Sequence, residues 1–482
     1  MEAARTHIAL VSIPAFSHQV SILEFAKRLI NLHQEHTFHF TCIIPTFGSP
    51  TNASKPFFDS LPPTIHYIFL PPVDCEDLQV NGVPIEIQIQ LSVSRSMPLV
   101  REALTSLINS SGSSKVVALI ADGMAIEALE FGKEFNILSY IYFPCSIMLL
   151  SLCLHSSELD EKVSCEYRDH PKLIEIPGCI PVHGKDLPNS VQERSSLKYK
   201  LFLKRGQKYR CVDGLLVNSF MELEPDATRA ISQESRCNPP VYPIGPITQS
   251  GPSDPKNGWE CLLWLDKQPP NSVLYVSFGS GGTLSQDQIN ELALGLELSK
   301  RKFLWVNLRA PNDRASATYF NGEGVEDPLH FLPLGFLERT KGKGLVMSGW
   351  APQIEVLGHK SIGAFLSHCG WNSVVESVVQ GVPMIAWPLF AEQRTNAALV
   401  TDGLKVALRP KANSSGNGLV VKEEISNLIK RLMEGLEREE IRGRMKELQK
   451  LAACAMMKDG SSTCTISKLA FKWKSLGRSL ED

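Results

Sequence analysis

The strongest constraint on the fold is an alternation of strand-like and helix-like runs that occurs twice along the chain. Runs rich in β-branched and aromatic residues alternate with segments of helical period, the pattern of a parallel sheet covered on both faces. In the first half the strand-like runs are His7–Ile13, Thr37–Ile44, Ile65–Leu70, Val116–Ala121, Leu138–Phe143 and Gly214–Asn218, with helical periodicity over Ile22–Leu32 and Ile85–Ile108. A second series runs through Val273–Ser277, Phe303–Asn307, Gly344–Ser348, Ala364–Ser367, Met384–Trp387 and Val406–Leu408. Between the two, Asn238–Pro246 and Ser250–Pro255 have a Pro- and Gly-rich composition that sustains neither helix nor central strand, so they read as the domain linker. The expected fold is therefore α/β, with two doubly wound Rossmann-like domains facing across a cleft and ligands at the carboxyl ends of the strands.

Composition narrows the partners. With 43% hydrophobic and 21% charged residues in 482, the chain has apolar material for two substantial cores. Lys and Arg number 49 against 51 Asp and Glu, a net charge of −2, so no bulk attraction to nucleic acid or to an anionic membrane is expected. Twelve cysteines are scattered from Cys42 to Cys464 without a C-x-x-C pair or metal-ligand spacing, which points to reduced thiols in a cytoplasmic protein. The start, Met1 to His7, lacks the basic-then-apolar order of a signal peptide, and the sequons at Asn52, Asn109 and Asn413 then read as chance. The uncharged run Ile137–Leu154 reaches 18 residues, but Pro144 splits it and Ser139, Ser146 and Ser151 interrupt it. It reads as a buried strand followed by a helix, not as an integral membrane segment.

Two clusters carry candidate chemistry. Ser277-Phe278-Gly279-Ser280-Gly281-Gly282-Thr283 follows a strand and precedes a helix start, Ser285 to Gln288, of capping-box form. Small residues there bring backbone N–H groups close to a phosphate, so the loop is either a diphosphate site or an ordinary Gly-rich turn. Neither G-x-G-x-x-G nor G-x-x-x-x-G-K-[ST] occurs in the right setting, which weakens nicotinamide enzymes and P-loop NTPases. The second cluster is Trp350-Ala351-Pro352-Gln353, His359, Ser367 to Glu376, and Trp387 to Gln393. His368 stands at a strand exit, Gly370 allows a tight turn, and a helix beginning near Asn372 with Ser373 offers an anion site at its N-terminus. Glu376 falls one helical turn beyond Asn372, where a carboxylate can accept from ribose hydroxyls, and Trp350 offers a flat surface to a base. Each residue alone has a plainer role: a core Trp, a satisfied His, a solvated Glu.

From Trp350 to Gln393 the sequence resembles the 44-residue donor-binding signature of plant secondary-product UDP-glycosyltransferases. The likeness extends over the whole chain through His18, Pro177-Gly178-Cys179-Ile180-Pro181 and Ser277-Phe278-Gly279-Ser280, and is greatest to the hydroquinone (arbutin synthase-like) and monolignol glucosyltransferases. The resemblance implies the GT-B fold, with residues 1–245 as the acceptor domain and 246–460 as the nucleotide-sugar domain. In that fold residues 461–482 return to the N-terminal domain through a last helix around Ser467–Leu476. It further implies uracil on Trp350 with Ala351 and Gln353 nearby, ribose on Glu376, and pyrophosphate on His368, Asn372, Ser373 and the Ser277 loop. The sugar hydroxyls fall to Trp371, Glu392 and Gln393. Gln at the last position accompanies glucose in this family, so UDP-glucose is the expected donor co-substrate, with no metal and no permanently bound cofactor. For catalysis the resemblance points to His18 as general base and Asp122 as its orienting partner.

The residues bear on the catalytic pair independently. His18 follows one strand by a short loop and Asp122 terminates another, so both can project from the same edge of a parallel sheet. A carboxylate on one ring nitrogen fixes the tautomer and stabilises the imidazolium formed when the other takes the acceptor proton. One departure is Ser17: the family commonly has Gly directly before this His, so loop geometry beside His18 is expected to differ. The expected reaction is an in-line displacement that inverts α to β. No D-x-D triplet occurs, which favours protein groups over a metal ion at the leaving diphosphate. A nucleotide-sugar epimerase or dehydrogenase would need a Tyr-x-x-x-Lys couple, whereas Tyr199 and Lys204 are five apart. A non-catalytic nucleotide-sugar binding protein would not need both His18 and Asp122. The acceptor is expected to be a small phenol held by Asp77–Ile85 and by apolar residues from Phe143 to Leu150, with O-, N- and C-linkage left open, and the chain is expected to act as a monomer.

Overall fold

The computed structural model describes residues 5–47, 55–74, 77, 83–110, 114–234, 238–250, 259–317, 327–412 and 418–478. Most of the Asp77–Ile85 loop, the linker residues 251–258, and Asn52 and Asn413 lie outside them. The chain forms two compact units. The first comprises Met1–Lys185, Ser190–Ser250 and Ala452–Asp482, the second Asp186–Asn189 and Gly251–Leu451.

The first unit is built on seven parallel strands: β1 (Arg5–Val11), β2 (Thr37–Ile44), β3 (Ile65–Phe69), β4 (Ser114–Asp122), β5 (Leu138–Phe143), β6 (Gly214–Val217) and β7 (Val241–Pro243). Their order is β3-β2-β1-β4-β5-β6-β7, so the chain winds outward from β1 in both directions, as in a doubly wound sheet. The central strands are apolar on both faces because helices cover both. β7 corrects the reading of Asn238–Pro246 as linker: Val241–Pro243 pairs with Leu215–Val217. It is an edge strand, and at an edge Pro240 and Pro243 need not donate on the open side. The periodic run Ile85–Ile108 is two helices, Ile85–Arg95 and Met97–Ser110, because Pro98 has no N–H to bond back to the preceding turn. Ile137–Leu154 resolves into β5 and the helix Ile147–Leu154, whose N-terminus is capped by Ser146 and by the buried Glu224 carboxyl accepting from Ile147 and Met148 N–H. Among the described residues no helix is long and apolar enough to cross a membrane.

The second unit carries β8 (Val273–Ser277), β9 (Lys302–Trp305), β10 (Gly344–Val346), β11 (Ile362–Ser367), β12 (Met384–Ala386) and β13 (Ala407–Leu408), all parallel, in the order β10-β9-β8-β11-β12-β13. β9 stops short of the expected Asn307, which takes a left-handed φ of 53° and leaves the sheet. Leu274, Val276, Leu366 and Ile385 of the sheet pack with Leu292 and Leu296 and with Ile425 and Ile429 of two helices to form this unit's core.

The last helix, Ser461–Arg478, belongs to the first unit. It inserts Ile466, Leu469, Ala470 and Trp473 among Ile8, Leu10, Ile120 and Tyr140, and the Trp473 ring meets Tyr140 edge-on at 5.5 Å. Trp473 is 0% exposed, whereas Phe471 on the same helix is 62% exposed. Trp473→Ala should therefore lower the stability of the first unit by about 3–5 kcal/mol, and Phe471→Ala by no more than about 0.5 kcal/mol. Denaturant-dependent hydrogen exchange of the β1 and β4 amides checks this, and equal effects of the two substitutions would contradict the helix's place in the core.

Candidate active site

Of the thirteen residues singled out from the sequence, His18 and Asp122 lie in the first unit and the other eleven in the second. His18 follows β1 by a short loop, as expected, and sits in the first turn of α1 (Phe16–Leu32), which begins before the Ile22 read from periodicity because the chain turns into helix directly after Ala15. Asp122 is the last residue of β4, the neighbour of β1. His18 Nδ1 and Asp122 Oδ2 are 2.7 Å apart, with the carboxyl 0% exposed and the imidazole 23% exposed. The other oxygen, Oδ1, accepts the Met124 N–H at 2.9 Å, so both ends of the carboxylate are held. A carboxylate only accepts, so Nδ1 carries the hydrogen and Nε2 keeps its lone pair for a proton from outside.

In the second unit Ser277 and Ser367 are register partners at the ends of β8 and β11, which brings the Gly-rich loop beside the turn that follows Ser367. His368 fills the space between them. A Cβ on Gly279 would stand 2.6 Å from its ring and one on Gly370 2.4 Å from its Nε2, so both positions must be glycine. Gly279 also has φ +74°, and its carbonyl accepts from Asn307 Nδ2. Burial lowers the His368 pKa to about 4, leaving the ring neutral, and among the described residues its buried Nδ1 has no hydrogen-bond partner. Next to it the helix Trp371–Gln380 begins, with Gly370 at its N-cap supplying no side chain. Trp371, the first residue of that helix, is 2% exposed. Asn372 and Ser373 complete the first turn.

Gln353 joins the remaining pieces. Its Nε2 donates to Ser373 Oγ at 2.9 Å and to Glu376 Oε2 at 2.7 Å, while its Oε1 accepts from Tyr275. Burial pushes the Glu376 carboxyl up to about 7, against the opposing Gln353 hydrogen bond. Ala351 is buried, but Trp350 is 52% exposed, a large flat apolar surface offered outward. Glu392 occupies the N-cap position of the short helix Gln393–Ala398, without a capping side-chain bond, after Ala391, which has φ +54°. Gln393 is buried, and its Oε1 accepts from Leu389 and Phe390 N–H at 2.8 and 3.0 Å, leaving the amide NH₂ as the group it can offer. His359, singled out with this cluster, instead bonds Ser361 and Asp266.

Two supporting residues carried no sequence signal. Asn307 holds the Gly279 carbonyl, and Asn396 donates to the Cys369 carbonyl at 3.0 Å and to Glu392 at 3.4 Å. Cys369 itself is left-handed at φ 63°, and the Asn396 bond and the Ser367 hydroxyl keep it there. These partners lie 27 and 28 residues away along the chain, beyond any local motif.

Residues 244–435 match the family model described as UDP-glucoronosyl and UDP-glucosyl transferase. The hydroquinone glucosyltransferase of Rauvolfia serpentina is 49% identical over 469 residues, covering 97% of this chain and 98% of that protein. The structure of Phytolacca americana UGT2 complexed with UDP-2fluoro-glucose and pterostilbene superposes with a TM-score of 0.87 at 43% identity, over 97% of this chain and 99% of that one. A Polygonum tinctorium UDP-glucosyltransferase capable of glucosylating indoxyl, in complex with 3,4-dichloroaniline, gives 0.89 at 43% identity, over 98% and 100%. Likeness of this order across both sheets, and not in the donor-binding stretch alone, makes the chain a GT-B enzyme of the plant UDP-glycosyltransferase family.

Proposed function

We propose that this enzyme transfers glucose from UDP-glucose to the hydroxyl of a small phenol and inverts the anomeric configuration to give a β-glucoside. The observation that carries the reading is the His18–Asp122 hydrogen bond at the strand ends of the first sheet. The acceptor O–H gives its proton to His18 Nε2 as its oxygen attacks the anomeric carbon from the face opposite UDP. The bond to the diphosphate oxygen breaks with its electron pair, and the products are the glucoside and UDP. Asp122 stabilises the transient imidazolium through Nδ1–H. The phenolic acceptor class is supported by the names of the relatives, which speak of hydroquinone and pterostilbene.

The second unit is read as the donor site. Trp350 stacks on uracil, with Ala351 and Gln353 at its edge; Glu376 accepts from the ribose hydroxyls. His368, Asn372, Ser373 and the Ser277 loop surround the diphosphate. The helix N-terminus and these donors would meet the charge that grows on the leaving group without a metal ion, the electrostatic contribution that dominates many enzymes. Trp371, Glu392 and the Gln393 amide face the sugar.

Three outcomes test this. A phenol has a pKa near ~10 and His near ~6.5, so a poised imidazole helps most with weakly acidic acceptors. His18→Ala should lower kcat/KM by ~10²–10⁴-fold, and Asp122→Asn by less, with UDP affinity kept. The loss should shrink as acceptor acidity rises; a small loss independent of acceptor pKa would remove His18 as the base.

The raised Glu376 carboxyl makes donor binding pH-dependent. Ribose hydroxyls donate best to the ionised form, so UDP-glucose affinity should rise with pH up to about 7, level off above it, and be accompanied by proton release near neutrality. Calorimetry in buffers of different ionisation heat reads this directly. Glu376→Gln should abolish the pH dependence and cost about 1.5–3 kcal/mol of affinity. A flat wild-type profile between ~pH 6 and ~pH 8 would contradict the assignment.

Gln393→His should lower kcat/KM for UDP-glucose more than it lowers UDP affinity, because its free amide faces only the sugar. Unchanged glucose kinetics would take Gln393 out of the donor site.

A further inference from the structure

His18 can act only while the first turn of α1 is held in one place over the end of β4, and no capping side chain at Ala15 fixes that turn. Two side chains of the turn do so. Gln19 donates from Nε2 to the Ile13 carbonyl at 2.9 Å, tying the helix to the chain leaving β1. Ser21, three residues after His18, is buried and meets Tyr142 twice: Oγ lies 2.7 Å from the phenol oxygen, and the phenol O–H donates to the Ser21 carbonyl at 2.9 Å. Because the single phenol hydrogen goes to the carbonyl, the Ser21 hydroxyl must donate to the phenol oxygen. Ser21 Oγ in turn accepts from Asn218 Nδ2 at 3.4 Å, and Asn218 is anchored to the Ile247 backbone by bonds of 3.0 and 2.7 Å.

The register makes this arrangement pointed. Tyr142 on β5 is the direct cross-strand partner of Asp122 on β4. One strand pair therefore presents a carboxylate to His18 and a phenol to Ser21, gripping the same helical turn at two points. Tyr142, Ser21 and Asn218 are all buried where Leu, Ile and Phe make up the rest of the helix–sheet contact. Packing alone would be met by Phe and Ala, and buried polar atoms are costly unless each is satisfied. Burial also pushes the Tyr142 phenol far above its usual range, so it remains a donor at every working pH.

We propose that Tyr142, acting through Ser21, is a positioning residue for the base: it sets where the His18 imidazole stands against Asp122 and the acceptor, and, being fully buried, it does not touch substrate. The proposal rests on the reading of His18 as the base.

Tyr142→Phe deletes one oxygen and keeps the ring. With weakly acidic phenols kcat should fall by ~10- to 10²-fold, the scale of a misplacement of about 1 Å, while KM for UDP-glucose stays the same. With an ionised nitrophenol, which needs no base, the variant should work nearly as well as the wild type. In a His18→Ala background Tyr142→Phe should cost nothing further on the weak phenol, since what it positions is gone. An equal loss on both acceptors, or an undiminished loss in the His18→Ala background, would show a merely structural role and overturn the proposal; so would full activity of Tyr142→Phe. If His18→Ala itself remains active on weak phenols, the base reading fails, and the proposal with it. Should Tyr142→Phe not fold, Ser21→Ala removes the partner hydroxyl and carries the same comparisons.

Discussion

All strand pairs in the two sheets are parallel, and parallel neighbours must be joined by crossovers that cover a face of the sheet. Once both faces are covered, the carboxyl edge is where a sheet's own residues can meet a ligand. That constraint places Asp122 at the end of β4, Ser277 at the end of β8 and His368 one residue past β11. It also means that each of these side chains has a packed, apolar sheet behind it. The low polarity of that backing strengthens a hydrogen bond such as His18–Asp122, because there is little water to compete for the buried carboxylate.

The same backing disfavours charge at two neighbouring positions, and so moves their pKa values in opposite directions. It holds the His368 imidazole neutral, with a pKa near 4, and pushes the Glu376 carboxyl up to about 7. A neutral ring can exchange a hydrogen bond with a diphosphate without the full attraction of a cation. On the proposed donor-site reading, charge complementarity then falls to oriented dipoles, above all the start of the helix Trp371–Gln380. Dipoles fixed before the reaction need no reorganisation as charge develops on the leaving group.

What could be read from the sequence was whatever depended on local period and turn chemistry. Thr37–Ile44, Leu138–Phe143 and Val273–Ser277 were legible to the residue, since largely buried strands are runs rich in β-branched, aromatic and aliphatic residues. β7 was not, because its three residues are flanked by prolines that composition assigns to a linker, and only the neighbouring β6 makes it a strand. Tertiary context likewise started α1 early enough to take in His18. The family resemblance named the candidate site residues. It did not reveal why Gly279 and Gly370 must lack a side chain, or that Asn307 and Asn396 hold the loops, because those reasons are contacts between segments far apart in the chain.

The chain leaves the first unit after Ser250 and re-enters it at Ala452, so the entire second sheet is inserted between the seventh strand of the first and the helix that closes its core. During synthesis the second unit has all its strands before the first unit has Trp473. The half that begins the protein is thus the last to be completed, and until the final helix emerges from the ribosome its sheet carries an uncovered apolar face around Ile8, Leu10 and Tyr140. A nonsense change just before the codon for Ser461 would leave all of the second unit encoded and remove from the first the helix that carries Trp473.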